Sequence, residues 1–270
     1  MLKSRNLPNP DRLSVLAATI LLAYALTNFV NLPERAFSIQ LPGIFLEYSF
    51  NIRTLVVLIA AGLTASGTDW LLRDHPALKG GSTIEHILLP ALTAWVIGIP
   101  LFQLPFGLAW WAVFAIGGAL LILVLVAEYI VVDPEDVRRA IASAGLTAVS
   151  YALYLILAIV LRSAGVRLFL FLPALTLAAA LVSLRTLHLR LLGQWKIWET
   201  IVIALVVSQI AAALQYWPLS PVAFGLGVLG PAYALTSLIG GLEEGEPVRQ
   251  AVIEPLIVMA VAWGVALWLH

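Results

Sequence analysis

Acidic and histidine side chains lie at those ends of the apolar runs that we assign below to the cytoplasmic side of a membrane. Carboxylate oxygens and imidazole nitrogens bind divalent cations, and a bound cation can act on the phosphate of a lipid headgroup or a diphosphate. This pattern predicts a membrane-embedded enzyme that acts on a lipid at the cytoplasmic leaflet, with His75, Glu85 and His86 as metal ligands. The members of the group are Asp69, Asp74, His75, Glu85, His86, Glu128, Asp133, Glu199 and Glu254.

Ordinary helix ends account for the same residues without catalysis. Asp69 and Arg73 have the i, i+4 spacing of a helical ion pair. Glu85, Glu199 and Glu254 are predicted in the first turns of apolar helices, where the helix dipole stabilises a carboxylate. The three candidate metal ligands also lack a specific ligand spacing. We therefore predict no metal, no cofactor and no assigned catalytic residue, and favour a role other than catalysis.

Neutral polar side chains lie inside the apolar runs and form a second set of candidates. Ionisable groups are costly in hydrocarbon and usually mark function, and the middle of each run carries none. This argues against a proton pump or a voltage sensor, but it leaves room for the passage of a neutral or amphiphilic solute. Our leading hypothesis is a transporter or permease-like protein. Its predicted solute path is lined by Tyr24, Asn28, Thr64, Thr147, Tyr151, Gln209, Tyr233 and Thr236.

The lack of a charged site within the runs also fits a non-catalytic assembly or scaffold subunit. The predicted partners are membrane lipids, a small solute, and either further copies of the chain or another membrane protein. The 15 basic and 15 acidic residues give a formal net charge of zero, which does not favour nucleic acid.

The composition of the chain indicates which secondary-structure elements carry these residues. Of the 270 residues, 61% are hydrophobic and 11% are charged, whereas about 25% of residues are charged in a soluble domain. The apolar residues form runs of about 20, the length of a helix that crosses a bilayer. The sequence therefore predicts an all-α integral membrane protein, a polytopic bundle of about nine transmembrane helices in one domain covering 1–270. The predicted spans are 12–32, 53–72, 84–104, 107–132, 139–161, 167–185, 197–216, 219–241 and 250–269.

Positive charges set the predicted orientation. With a cytoplasmic N terminus, eleven lysines and arginines fall in inner segments and four in outer ones. The positive-inside rule then places the N terminus in the cytoplasm and the C terminus outside, in a multi-pass protein of the cell membrane. In the first outer loop, alternating apolar and polar residues around a Pro42-Gly43 turn predict a short extracytoplasmic hairpin at 37–50. An irregular interfacial loop is the alternative.

Two five-residue words recur at the same offset of 83 residues. Ala-Gly-Leu-Thr-Ala begins at Ala61 and again at Ala144, and Leu-Pro-Ala-Leu-Thr begins at Leu89 and again at Leu172. They predict repeat units 12–104, 107–185 and 197–270, each with three helices. The odd number would invert the middle unit, a common construction in secondary transporters. The alternative is that the two matches arose without a structural repeat, because the small residues and prolines that pack helices together are frequent in membrane spans.

The segment Gly225-x-Gly227-x-x-Gly230 matches a dinucleotide-binding pattern. It lies inside an apolar run and follows no strand, so the required βα context is missing. We interpret these glycines, with Pro231, as a place where helices pack closely or where the helix is broken.

Overall fold

The computed structural model describes residues 7–26, 35–41, 44–50, 52–78 and 81–269. The elements run in the order α1 (Pro10–Leu26), β1 (Arg35–Leu41), β2 (Ile44–Phe50), α2 (Ile52–Leu72), α3 (Ile84–Gln103), α4 (Leu108–Val131), α5 (Arg139–Ser163), α6 (Leu168–Arg190), α7 (Ile197–Gln215), α8 (Pro221–Glu243) and α9 (Val248–Trp268).

Eight of these helices, α2 to α9, are long and apolar enough to cross a membrane. The predicted fold class, a polytopic α-helical membrane protein, is confirmed. Helix α1 has 17 residues, and the last part of its predicted span, 27–32, lies outside the described residues. The protein is therefore a multi-pass membrane protein.

The first loop contains two antiparallel strands. Arg35 pairs with Phe50 at one end of the ladder, and Leu41 pairs with Ile44 at the other. This hairpin covers the predicted segment 37–50 and begins two residues earlier. Its extracytoplasmic location stays a prediction.

The chain divides into two compact units, residues 1–132 and residues 133–270. Unit 1 holds α1 to α4 and the hairpin, and unit 2 holds α5 to α9. This division does not follow the predicted repeat units, because α4 belongs to unit 1 and α5 and α6 belong to unit 2. The repeat itself stays a prediction.

Helix α8 is the centre of unit 2, since it contacts α5, α6, α7 and α9. Its glycines allow these close approaches. A side chain on Gly225 would meet Ile159 of α5, and one on Gly230 would meet Ala262 and Trp263 of α9. The helix is continuous from Pro221 to Glu243, so the glycines mark close packing, and the alternative of a broken helix is wrong.

An indole from α9 compensates for the proline inside α8. Pro231 has no N–H, so the carbonyl of Gly227, four residues earlier, loses its helical donor. The Nε1 of Trp263 donates to this carbonyl oxygen at 3.1 Å. In hydrocarbon such a carbonyl must find a donor within the protein. This contact explains why Trp263 lies away from the ends of its span.

An indole also satisfies a carbonyl in unit 1, at the end of α3. The helix ends at Gln103, so the carbonyl of Leu101 in its last turn has no helical donor, and the Nε1 of Trp110 in α4 donates to that oxygen at 3.0 Å. The Trp110 side chain is 1% exposed, although tryptophans near span ends usually lie at the lipid headgroups. Trp110 therefore acts as a buried donor.

A double-mutant cycle tests the compensation in α8. Trp263→Phe should lower the free energy of unfolding by about 1–3 kcal/mol, the cost of a buried carbonyl left without a donor. In a Pro231→Ala background the restored N–H supplies that donor, so the same tryptophan change should cost less. The measurement is thermal unfolding in detergent, with the exposed Trp268→Phe as control. Equal losses in both backgrounds would contradict the assignment.

Candidate functional site

A cavity of about 480 Å³ lies in unit 2 among α5, α6 and α8. Four of the eight residues predicted for the solute path line it, namely Thr147, Tyr151, Tyr233 and Thr236. Its volume falls in the range of small-molecule sites, which runs from about 300 to about 1,000 Å³. The full lining is Ser143, Ala144, Thr147, Ala148, Tyr151, Thr186, Leu189, Arg190, Tyr233, Thr236 and Ser237.

Helical periodicity brings these residues to one place. On α5, Ser143, Thr147 and Tyr151 follow at steps of four, so they share one face. The lining residues of α6 and of α8 also follow at steps of three and four. They lie in the first half of α5 and in the last halves of α6 and α8. The cavity therefore belongs to the end of unit 2 where α5 begins and α6 and α8 end.

Helix α6 is longer than predicted, and its additional residues line the cavity. The predicted span ended at the charged Arg185, but the helix continues to Arg190. The Arg185 side chain is 1% exposed and makes contacts inside the protein, so it does not mark the water boundary. The extra turn brings Thr186 and Arg190 to the cavity. Sequence reasoning missed both, although both lie within five residues of the predicted end.

Arg190 is the only charged residue among those lining the cavity. Its guanidinium donates to both carboxylate oxygens of Glu244, at 2.8 and 2.7 Å, and to the carbonyl of Ser237 at 3.0 Å. Glu246 lies 3.8 Å away. A bidentate pair of this kind fixes the position of the guanidinium. The charge of Arg190 is therefore met within the protein.

Two threonines of the lining differ in their partners. The Oγ1 of Thr236 lies 2.7 Å from the carbonyl oxygen of Ala232 and 3.0 Å from the hydroxyl of Ser183. The Oγ1 of Thr186 is buried, forms no hydrogen bond of good geometry, and interacts with the hydroxyl of Tyr151. Thr186 and Tyr151 thus place two neighbouring hydroxyls at the cavity.

Two tyrosine rings form an aromatic part of the lining. The rings of Tyr151 and Tyr233 pack edge to face, with centroids 5.2 Å apart. The Tyr233 hydroxyl donates to Glu254 Oε1 at 2.5 Å, and the Ser237 hydroxyl donates to Glu254 Oε2 at 2.8 Å. These bonds hold a carboxylate of α9 directly behind two residues of the cavity.

An ion pair also lies at the end of unit 2 where α8 ends. The Nζ of Lys196, between α6 and α7, donates to Glu243 Oε2 at 2.6 Å. This hydrogen bond raises the pKa of the lysine. The charge of Lys196 is therefore also balanced locally.

The other predicted path residues do not line this cavity. In unit 1, the Tyr24 hydroxyl donates to the carbonyl of Ala94 at 2.5 Å, and the Thr64 hydroxyl donates to the carbonyl of Ala60 at 2.7 Å. Both side chains are buried; the Tyr24 hydroxyl joins α1 to α3, and the Thr64 hydroxyl bonds within α2. Gln209 is exposed on α7. Asn28 lies outside the described residues.

The three residues of the metal alternative make other contacts. His75 is buried, accepts from the N–H of Ala77 at 3.1 Å, and packs its ring on Tyr129. The Nδ1 of His86 lies 2.9 Å from Glu128 Oε2, and its Nε2 lies 3.9 Å from Glu85. Within the described ranges, no three His, Asp or Glu side chains are grouped as metal ligands.

Comparisons with known proteins show the family and no activity. The family model described as "Protein of unknown function (DUF5656)" matches residues 32–269. No curated protein and no solved structure matched the chain. Because the matched segment is far more than half of the chain, this protein belongs to the DUF5656 family.

Proposed function

We propose that the protein is a small transporter or permease-like protein that binds a neutral or amphiphilic solute in the cavity of unit 2. One observation carries this proposal. Neutral polar residues from three different helices, four of them selected from sequence alone, converge on one cavity of ligand size.

The chemistry of the lining supports a solute with both polar and apolar parts. Hydroxyl groups dominate the polar lining, and the Thr186 hydroxyl, which forms no hydrogen bond of good geometry within the protein, can hydrogen-bond to a solute. Ala144 and Ala148 of α5 line the cavity and are exposed, so they offer a small-residue edge to an apolar group. Sites of this kind combine an apolar wall with a few placed polar groups.

The proposed internal repeat is supported by a shared local structure. Each Leu-Pro-Ala-Leu-Thr word lies inside a helix, α3 or α6. In each, the threonine hydroxyl donates to the leucine carbonyl four residues earlier, at 2.7 Å for Thr93 and at 2.8 Å for Thr176. Prolines at corresponding positions of hydrophobic segments are a feature of repeat-built transporters.

Thr186→Val should separate ligand binding from folding. Valine has the same shape as threonine but no hydroxyl, so the free protein should keep its melting temperature or gain stability. Any stabilisation by a bound solute should fall. The measurement is thermal unfolding in lipid nanodiscs with decanoyl glycerol and with small polyols. Thr176→Val, ten residues earlier on α6, is the control and should leave the response to solute unchanged. A panel in which no neutral probe stabilises the wild type would count against the proposed function.

Ala148→Phe should fill the cavity from its exposed edge. We expect loss of solute binding and of solute uptake into proteoliposomes, because the ring would occupy space beside Thr147 and Tyr151. Ala152→Phe, one turn further along α5, is exposed and lies outside the cavity lining, so it should keep both activities. If both variants retained uptake, the solute would not pass through this cavity.

The proposed orientation is testable because the chain contains no cysteine. Single cysteines can be placed at two exposed loop positions, Gln194→Cys between α6 and α7 and Ala164→Cys between α5 and α6. In intact cells, a membrane-impermeant maleimide should label the variant at 164, while the variant at 194 should react only after the cells are opened. The reverse pattern would invert the proposed topology.

A further inference from the structure

A groove of about 280 Å³ lies between α1 and α2 in unit 1. The buried side chains of Leu16 and Ile20 form its floor, and the exposed side chains of Val15 and Leu63 lie at its sides. Gly67 allows the two helices to approach here, because a side chain at this position would meet Leu16. The groove therefore has an apolar floor between two closely packed helices.

The hydroxyl groups in the groove are used within their own helices. Thr19 Oγ1 donates to the carbonyl of Val15 at 2.7 Å, and Ser66 Oγ donates to the carbonyl of Leu63 at 3.2 Å. Apart from these two residues and the indole nitrogen of Trp70, the side chains of the lining are apolar. Covering a polar group that lacks a partner is costly. Since both hydroxyls already have partners, a hydrocarbon chain can lie in the groove without that cost.

A pair of charged side chains lies at one end of the groove. The Arg12 guanidinium lies 4.9 Å from the ring centroid of Trp70, which lines the groove, and Nη1 donates to the Trp70 carbonyl at 3.3 Å. Its Nη2 lies 2.5 Å from Asp74 Oδ2. At a rise of about 1.5 Å per residue, the groove extends about 12 Å along α1 from Arg12 to Ile20. An acyl chain in the groove would thus bring its headgroup to Arg12 and Asp74.

The charges at this end match a headgroup that carries both signs. The side chains of Arg12 and Asp74 are 31% and 66% exposed, so a headgroup can reach both. The neighbouring Arg73 is paired with Asp69 and adds no net charge. An anionic headgroup would be attracted by Arg12 but repelled by Asp74. A zwitterionic headgroup can instead place its phosphate beside the arginine and its ammonium beside the carboxylate.

The surroundings of Trp70 favour a primary amine over a quaternary one. An aromatic ring attracts a quaternary ammonium group, but the Trp70 ring already holds the Arg12 guanidinium. A quaternary ammonium also has no N–H to donate. A primary ammonium donates charge-assisted hydrogen bonds to a carboxylate, and Asp74 provides one at this end of the groove.

We infer that this groove binds a phospholipid with a primary-amine headgroup, of the phosphatidylethanolamine class. Its acyl chain lies on Leu16 and Ile20, its phosphate lies beside Arg12, and its ammonium donates to Asp74. The site lies within unit 1 and does not depend on the function proposed for the cavity of unit 2.

The test compares the dioleoyl forms of phosphatidylethanolamine, phosphatidylcholine and phosphatidylglycerol on the delipidated full-length protein. Native mass spectrometry in detergent should show the tightest binding for the ethanolamine lipid. Asp74→Asn should weaken that lipid about tenfold, the loss of one charge-assisted hydrogen bond, and should leave the choline lipid within about threefold. Asp69→Asn is the matched control, because it removes the same charge from a carboxylate that is also paired with an arginine. It should leave the preference unchanged.

Thr19→Phe tests where the acyl chain lies. Thr19 is exposed, so the ring should fill the groove without disturbing the fold, and all three lipids should bind more weakly. Ala18→Phe, at an exposed position outside the groove lining, should bind them as the wild type does. Equal binding of the three lipids by the wild type would overturn the inference. An equal effect of the two aspartate variants would overturn it too, since general electrostatic attraction would then explain the preference, and so would unchanged binding by Thr19→Phe.

Discussion

Every backbone carbonyl in the hydrocarbon layer needs a donor, and this requirement fixes how α9 packs on α8. Pro231 removes the donor for Gly227, and Trp263 provides another. The same antiparallel pairing brings Glu254 to Ser237. The two contacts lie nine residues apart on α9 and ten apart on α8, so one sets the register of the other. The tryptophan that satisfies a carbonyl thus also positions the carboxylate behind the cavity.

The cavity exists because, at one end of unit 2, many of the side chains that its three helices direct toward one another are small or short and do not fill the space between the helices. Steps of three and four bring one hydroxyl per turn to the same side of α5 and α8. Bulky apolar residues at these positions would interdigitate and close the space, as they do elsewhere in the interior of a protein. Arg190 is fixed by Glu244, so its long side chain lies at the edge of the cavity in a defined position.

Hydropathy predicted most helix boundaries within two or three residues because a bilayer imposes both a length and an apolar composition on each span. It failed where a charge did not mark the water boundary. Arg185 is buried and α6 continues past it, and α9 begins at Val248, so that Glu254 lies in its second turn. The candidate site could be predicted only in part for a related reason. Neutral polar residues indicate which side of a helix faces inward, but a single sequence does not say which helices are neighbours. Tyr24 and Thr64 were therefore grouped with residues of unit 2, although they lie in unit 1.

The contacts of Arg190 and Glu254 show how charge is arranged beside the cavity. Arg190 forms a bidentate pair with Glu244 near the end of α8, and it also interacts electrostatically with Glu254. The Glu254 carboxylate accepts hydrogen bonds from the hydroxyls of Tyr233 and Ser237, which line the cavity. Charged groups inside a membrane protein are tolerated where the protein supplies such partners. These contacts therefore hold the Tyr233 and Ser237 side chains, and with them one wall of the cavity, in a defined position.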